Sequence, residues 1–96
     1  MANHFKVAHI HEQGVDLIII PLDSQFRFKT ATEQNQTVAA LQGCATRAGL
    51  RGVVVPVWDN GNGQMAFRAP QNWHPFFASL SLAAVARSIN RDLTCG

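Results

Sequence analysis

Four large apolar residues stand in a row at positions 17–20, where the sequence reads Leu-Ile-Ile-Ile. Successive side chains of a β-strand point to opposite faces, so a strand with this run is apolar on both faces. Such strands are covered on both sides or lie centrally in their sheet. The sequence therefore predicts a layered fold in which residues 16–21 form a deeply placed strand.

The residues before this run predict its hairpin partner. Between positions 5 and 12, Phe5, Val7, His9 and His11 alternate with residues of the other face, and Gln13-Gly14 then turns the chain. A two-residue turn at that point places His11 opposite Asp16 and His9 opposite Ile18. The first two strands are therefore predicted to be antiparallel neighbours.

A helix is predicted to begin at residues 30–33. Thr30 and Glu33 have the spacing of a capping box, in which a hydroxyl and a carboxylate three residues apart satisfy the first backbone amides. Gly49 is the expected left-handed residue at the end. The apolar stripe consists of Val38, Leu41, Ala45 and Ala48.

The second half of the chain is predicted to follow the same plan. Residues 52–58 are rich in Val, residues 59–63 carry a strong turn signal, and residues 64–69 return. This pairing is expected to put Val54, Pro56 and Trp58 on the same face as Met65 and Phe67. Pro56 lacks an N–H donor, so its strand is predicted to be an edge strand or to carry a bulge. A helix is then expected from Asn72 or His74 to about Leu93.

The two halves share a short internal match, because residues 37–41 align with residues 81–85, and Arg47 then aligns with Arg91. Chance similarity between two alanine-rich helices is the alternative explanation. Residues 4–49 and 52–94 are predicted to be two strand-strand-helix units in one domain spanning residues 1–96. The expected fold class is α+β, with a four-stranded, mainly antiparallel sheet and two helices packed on one face.

Composition limits the class of protein. With 96 residues, 47% hydrophobic and 15% charged, and a formal net charge of +2, the chain is expected to form one soluble globular domain. No apolar run approaches a membrane span. Cys44 and Cys95 lack a paired spacing, so Cys44 is expected to be a small core residue and Cys95 an exposed thiol. A cytoplasmic location is expected on these grounds.

The second helix is predicted to be apolar nearly all round its first half. One stripe, which includes Val85 and Leu93, suffices to cover the sheet, and a further set of side chains lies beside it. We therefore expect a homodimer that buries this second set. The predicted interface consists of Trp73, Phe76, Leu80, Ala83 and Ala84. In the alternative, Phe76 and Phe77 close the end of the core beside Trp58 and Phe67.

Aromatic residues around the start of that helix form the candidate binding site. The set is Trp58, Phe67, Trp73, His74 and Phe77. Together they could bind a hydrophobic ligand or a protein partner, with His74 as the polar point. The sequence implies no cofactor and no metal ion, so the leading hypothesis is a small binding or assembly protein that acts as a homo-oligomer.

Two other function classes stay open. A small enzyme could use His9, His11 and Asp16, or His74, in a cleft between subunits; the first three could chelate a metal only with a ligand from elsewhere, and otherwise His11 and Asp16 hold the strand register. No catalytic motif is present, so the sequence favours binding over catalysis. A single-stranded nucleic-acid binder could use Phe26, Phe28 and the arginines, although a net charge of +2 does not by itself indicate nucleic acid.

Overall fold

The computed structural model describes residues 3–95 and contains one five-stranded mixed sheet. The strands are β1 (Asn3–Glu12), β2 (Val15–Pro21), β3 (Val53–Asp59), β4 (Met65–Phe67) and β5 (Arg91–Cys95). The helices are α1 (Ala31–Arg47), α2 (His74–Ala78) and α3 (Leu82–Ser88). The strand order is β4-β3-β2-β1-β5; β2 and β3 are parallel, and the other neighbours are antiparallel. The predicted α+β class is confirmed, but the sheet has a fifth strand and one parallel pair.

The β1–β2 hairpin has the predicted register. His9 pairs with Ile18, and His11 pairs with Asp16. Gln13 and Gly14 have φ angles of 50° and 77°, so both turn residues lie in the left-handed region that a tight two-residue hairpin turn requires.

Helix α1 also begins and ends where its sequence signals predict. The Thr30 hydroxyl accepts from the Glu33 amide at 3.1 Å, and the Glu33 carboxylate accepts from the Thr30 amide at 2.9 Å. Gly49 follows the helix with a φ of 82°. The helix forms the crossover that parallel strands such as β2 and β3 need. Among residues 3–95, no helix is both long enough and apolar enough to cross a membrane.

The sheet has a hydrophobic core on each face, and β2 contributes to both. Ile18 and Ile20 pack with Leu41 and Ala45 of α1. On the other face, Leu17 and Ile19 belong to a second core whose helix residues include Phe77 and Val85. The prediction that both helices pack on one face is therefore wrong. The segment with α2 and α3 joins β4 to β5 at opposite edges of the sheet, so it must cross a face, and α1 already covers the other one.

The predicted helix from residue 74 to about residue 93 is also wrong. Helix α2 begins at His74 but ends at Ala78, and the Ser81 hydroxyl caps a separate helix, α3, by accepting from the Ala84 amide at 3.1 Å. Beyond α3, the Asn90 side chain accepts from the His9 amide at 2.8 Å and donates to the His9 carbonyl at 2.9 Å. These bonds hold the chain at the open edge of β1, where residues 91–95 pair with β1 as a strand instead of continuing a helix.

The side chains of β3 and β4 share faces in a different combination from the predicted one. Phe67 pairs with Val57, and Met65 pairs with Asp59, so Phe67 and Met65 share a face with Val57 and not with Trp58. Trp58 lies on the α1 face, where its ring meets that of Phe26 edge-on at 4.8 Å.

Pro56 lies in an interior strand, whereas the sequence predicted an edge or a bulge. Its carbonyl accepts from the Arg68 amide at 3.2 Å. The nitrogen and the carbonyl of one strand residue face the same neighbour, so the missing N–H is also on the β4 side. Strand β4 ends at Phe67. The missing N–H of Pro56 therefore leaves no carbonyl of β4 without a hydrogen-bond donor.

Cys44 and Cys95 form a disulfide, so neither is the free thiol that the sequence predicted, although Cys44 does lie in the core as expected. The sequence separation of 51 residues hides this pairing. Strand β5 lies at the sheet edge beneath α1, and this brings the two Cα atoms to 5.7 Å. The bond joins the last residue of β5 to the C-terminal turn of α1.

The two arginines that the predicted internal repeat aligns lie in different secondary structure. Arg47 is the last residue of α1, whereas Arg91 is the first residue of β5. These two arginines therefore do not lie at equivalent helix ends. The duplication itself stays a prediction from the sequence.

Candidate functional site

A groove of about 660 Å³ lies between α1 and the sheet edge formed by β3 and β4. Its helix wall includes Gln34, Val38 and Gln42, which are four residues apart and therefore share one face of α1. Ala39 extends this wall. The groove thus combines an apolar middle with an amide at each end.

The floor and the opposite wall come from the sheet. Val54 and Trp58 are two of the β3 side chains that line the groove from the α1 face. The opposite wall is the chain leaving β4, which includes Arg68 and Pro70. Ala66 pairs with Trp58, so both residues face α1. Arg68 is two positions after Ala66 and therefore points to the same face, because side chains along an extended chain alternate.

The groove exists because β4 is short. Strand β4 pairs only with residues 57–59 of β3, which leaves the β3 edge at Val54 without a neighbouring strand. The Gln42 side chain takes that place: its oxygen accepts from the Val54 amide at 2.9 Å, and its nitrogen donates to the Gly52 carbonyl at 3.0 Å. One glutamine therefore satisfies the open edge and closes one end of the groove.

Gln34 orients Arg68 at the other end. Gln34 is only 7% exposed, and its amide nitrogen donates to the Phe26 carbonyl at 3.0 Å. Its oxygen accepts from Arg68 Nε, and Arg68 Nη1 donates to the Asn35 side chain at 3.3 Å. Neutral amides therefore hold the guanidinium in place.

The structure divides the predicted aromatic site between the groove and the core. Trp58, Phe67 and His74 line the groove. Trp73 and Phe77 do not line the groove and belong to the core on the α2–α3 face.

Sequence reasoning missed Gln34 and Gln42, and it considered Arg68 only among the arginines of the nucleic-acid hypothesis. Polar residues in an amphipathic helix resemble ordinary solvent-facing positions, and nothing local indicates that Gln34 is buried. The spacing of Gln34, Val38 and Gln42 was the one available signal, because it aligns an apolar residue between two amides on one helix face.

The predicted dimer interface lies largely against the chain's own core. Trp73 is buried, while Phe76 and Leu80 are half-buried and pack against the core of the α2–α3 face. Ala84 is half-buried and Ala83 is exposed. Within residues 3–95, Phe28 is the one large hydrophobic side chain that is exposed. The homodimer stays a prediction, and the excess apolar surface that motivated it is mostly covered within one chain.

The histidines are held apart by separate hydrogen bonds. His9 Nε2 donates to the Arg51 carbonyl at 2.8 Å, and His74 Nε2 donates to the Ala69 carbonyl at 3.0 Å. His11 Nδ1 lies 2.7 Å from the Asp16 carboxylate, so this pair joins β1 to β2. In the part of the chain that the structure describes, no three His, Cys, Asp or Glu side chains come together as a metal site.

The His11 hydrogen bond lowers the pKa of Asp16 below its ordinary value of 3.8. A carboxyl group whose pKa is lower in the folded state than in the unfolded state stabilises the fold at a pH above the unfolded pKa. This contribution is lost as the pH falls through the lowered value.

We expect His11→Ala to raise the pKa of Asp16, as measured by the ¹³C chemical shift of its carboxyl carbon. His4→Ala, at the other end of β1, is the control and should leave it unchanged. An Asp16 pKa that does not respond to His11→Ala would contradict the assignment.

The alternating segment around Phe26 does not expose two stacking aromatics. Phe26 is buried against Trp58, whereas Phe28 is 67% exposed and has the Arg27 guanidinium 4.4 Å from its ring centre. A single-stranded nucleic acid would therefore find one exposed ring here. This arrangement favours the groove as the candidate site.

Known proteins give no further guidance on function. The chain matches no protein-family model, no curated protein and no solved structure. The functional argument therefore depends on the groove's own geometry: its volume, its apolar middle and its fixed polar groups.

Proposed function

We propose that this protein is a small binding protein whose groove between α1 and the β3–β4 edge holds a small molecule with an apolar body. The observation that carries this proposal is the groove itself. Its volume of about 660 Å³ falls within the range of roughly 300–1,000 Å³ that small-molecule sites occupy. Val38, Ala39 and the small exposed part of Trp58 supply apolar contact surface, and the amides at the two ends, which are bonded within the protein, fix the shape of the groove.

The lining favours binding over catalysis. General acid–base or nucleophilic catalysis needs a reactive group within hydrogen-bond reach of a second one. The described lining residues include one imidazole, that of His74, and no carboxylate, thiol or hydroxyl. His74 Nε2 is already bonded to the Ala69 carbonyl. Binding is therefore the simplest activity for this set of groups.

Regular secondary structure forms two sides of the groove, and hydrogen bonds hold these two sides together. The capping box fixes the start of α1, and the Gln42 amide joins α1 to the edge of β3. A preorganised site loses less conformational entropy on binding than a mobile one. We therefore expect a ligand to bind without a large change in the backbone.

Filling the groove should prevent binding. Ala39 and Ala40 are both exposed, but Ala39 lines the groove and Ala40, one position along the same helix, does not. Ala39→Phe is expected to weaken binding of the neutral probe 2-naphthylacetamide at least tenfold, and Ala40→Phe, the matched control, should leave it unchanged. Affinity and location are measured together by ¹H–¹⁵N chemical shifts during titration.

In the wild type, we expect the largest shifts in residues 34–42, 53–58 and 67–74. No shifts at millimolar probe, or shifts confined to the α3 face, would overturn the proposed function. Equal binding by the two phenylalanine variants would also argue against the groove as the site.

We infer from the Cys44–Cys95 disulfide that an oxidising compartment fits this chain better than the cytoplasmic location that its sequence predicts. Cytosolic thiols are kept reduced, whereas oxidising compartments preserve disulfides. Thiol alkylation at the moment of cell lysis, followed by mass spectrometry, tests the location, because a cytoplasmic protein should carry two alkyl groups.

A further inference from the structure

Arg68 places a positive charge at one end of the groove without a carboxylate to balance it. Within residues 3–95, no Asp or Glu oxygen lies within 4.0 Å of this guanidinium or of any other arginine, and Arg68 is the arginine among them that lines the groove. We propose that the groove takes an organic carboxylate, with the carboxylate bound by Arg68 and the apolar body lying along the groove. This inference rests on the proposed function and adds the chemical class of the ligand.

The guanidinium is already oriented for this role. Burying the Gln34 amide is costly unless it is hydrogen-bonded, and Gln34 meets this need by joining the Phe26 carbonyl to Arg68 Nε. Gln34 is therefore a positioning residue for Arg68. A ligand that meets a fixed side chain does not bear the entropy cost of ordering it.

Arg68 keeps donors for a ligand after these contacts. A guanidinium has five N–H donors, and in the described part of the chain Arg68 uses two of them, one to Gln34 and one to Asn35. The planar fork of a guanidinium matches the two oxygens of a carboxylate. Both occupied acceptors are neutral, so the positive charge is left to be balanced by the ligand.

The other residues that line the groove determine the chemical character of the rest of the ligand. Val38 lines the groove beside the side chains of Val54 and Trp58, which are 2% and 6% exposed and form its apolar floor. A highly charged phosphate group would find a single cation here, whereas one carboxylate matches one guanidinium. The expected class is therefore an aromatic or branched aliphatic carboxylic acid.

A pair of probes tests the inference. The carboxylate 2-naphthylacetate and the neutral 2-naphthylacetamide share the same apolar body and differ at the end that would meet Arg68. Hydrogen bonds to charged groups are worth about 1.5–3 kcal/mol, so we expect the wild type to prefer the carboxylate at least tenfold. Binding of the carboxylate should also shift the NMR signal of Arg68 Nε–H.

Two variants remove the preference in different ways. Arg68→Gln removes the charge, and Gln34→Glu keeps the charge but gives Arg68 a carboxylate partner inside the protein. Both are expected to bind the two probes with similar affinity, while Arg87→Gln, on α3 away from the groove, should keep the wild-type preference. An unchanged preference in Arg68→Gln would overturn the inference.

The outcomes separate this inference from the proposed function. If the wild type binds both probes equally well, the carboxylate inference is wrong and the groove still binds small molecules. If neither probe binds, both proposals fail. The wild-type comparison decides the question even if one variant does not fold.

Discussion

Replacing both cysteines, as Cys44→Ala with Cys95→Ala, is expected to lower the free energy of unfolding by about 4 kcal/mol. The disulfide closes a loop with a sequence separation of 51, and the loss of chain entropy in the unfolded state grows with the logarithm of loop length. Domains of this size are stable by only about 5–15 kcal/mol, so the change removes a large part of the total. Strand β5, which pairs only with β1, is expected to separate first.

Urea unfolding followed by circular dichroism measures this effect. A depression lined by Arg47, Ala48 and Thr94 adjoins Cys44, so a small phosphine reductant should be able to reach the bond. Reduced wild type should lose nearly as much stability as the double variant, and the double variant should be insensitive to the reductant. A wild-type unfolding midpoint that is the same with and without reductant would show that the bond does not stabilise the fold.

Phe77→Ala is expected to destabilise the protein by about 3–5 kcal/mol, as is typical for removing a large buried ring. Phe77 is 1% exposed, and its ring lies 5.5 Å from that of Phe67 and 5.1 Å from that of Phe76. The surrounding rings can collapse only in part, so the variant also leaves a cavity beneath α2. Chemical denaturation measures the loss.

Phe28→Ala is the matched control, because Phe28 is 67% exposed and its loss should change stability by less than about 0.5 kcal/mol. The comparison also separates two roles of the aromatic residues. At temperatures where the variant is folded, Phe77→Ala should still bind naphthylacetamide, since Phe77 belongs to the core and not to the groove lining. Similar stability losses in the two variants would contradict the assignment of Phe77 to the core.

Local signals predicted the first half of the fold well. The Gln13-Gly14 turn and the Thr30–Glu33 capping box act within four residues, so no distant part of the chain can easily override them. The apolar run at residues 17–20 also indicated a strand covered on both faces, and β2 is such a strand. Helices on both faces of the sheet are what covers such a strand on both sides.

The second half depends on contacts that the local sequence does not contain. Residues 89–93 continue an apolar helical spacing, yet residues 91–95 form β5 because the edge of β1 offers unpaired backbone groups and Asn90 bonds to His9. The candidate site depends on distant residues in the same way. Trp58, Phe67 and His74 were found from their aromatic character, but Gln34 and Arg68 meet across 34 positions of sequence.

The sequence by itself therefore determined the turns, the helix start and the apolar character of β2, because each of these depends on the conformational preferences of neighbouring residues. Only the tertiary structure decided the fifth strand, the faces that the helices cover, the Cys44–Cys95 bond and the position of Arg68. Each of these depends on contacts between residues that lie far apart in the sequence, which local conformational preferences do not determine. The groove also depends on the tertiary structure, since β4 ends before it covers the edge of β3.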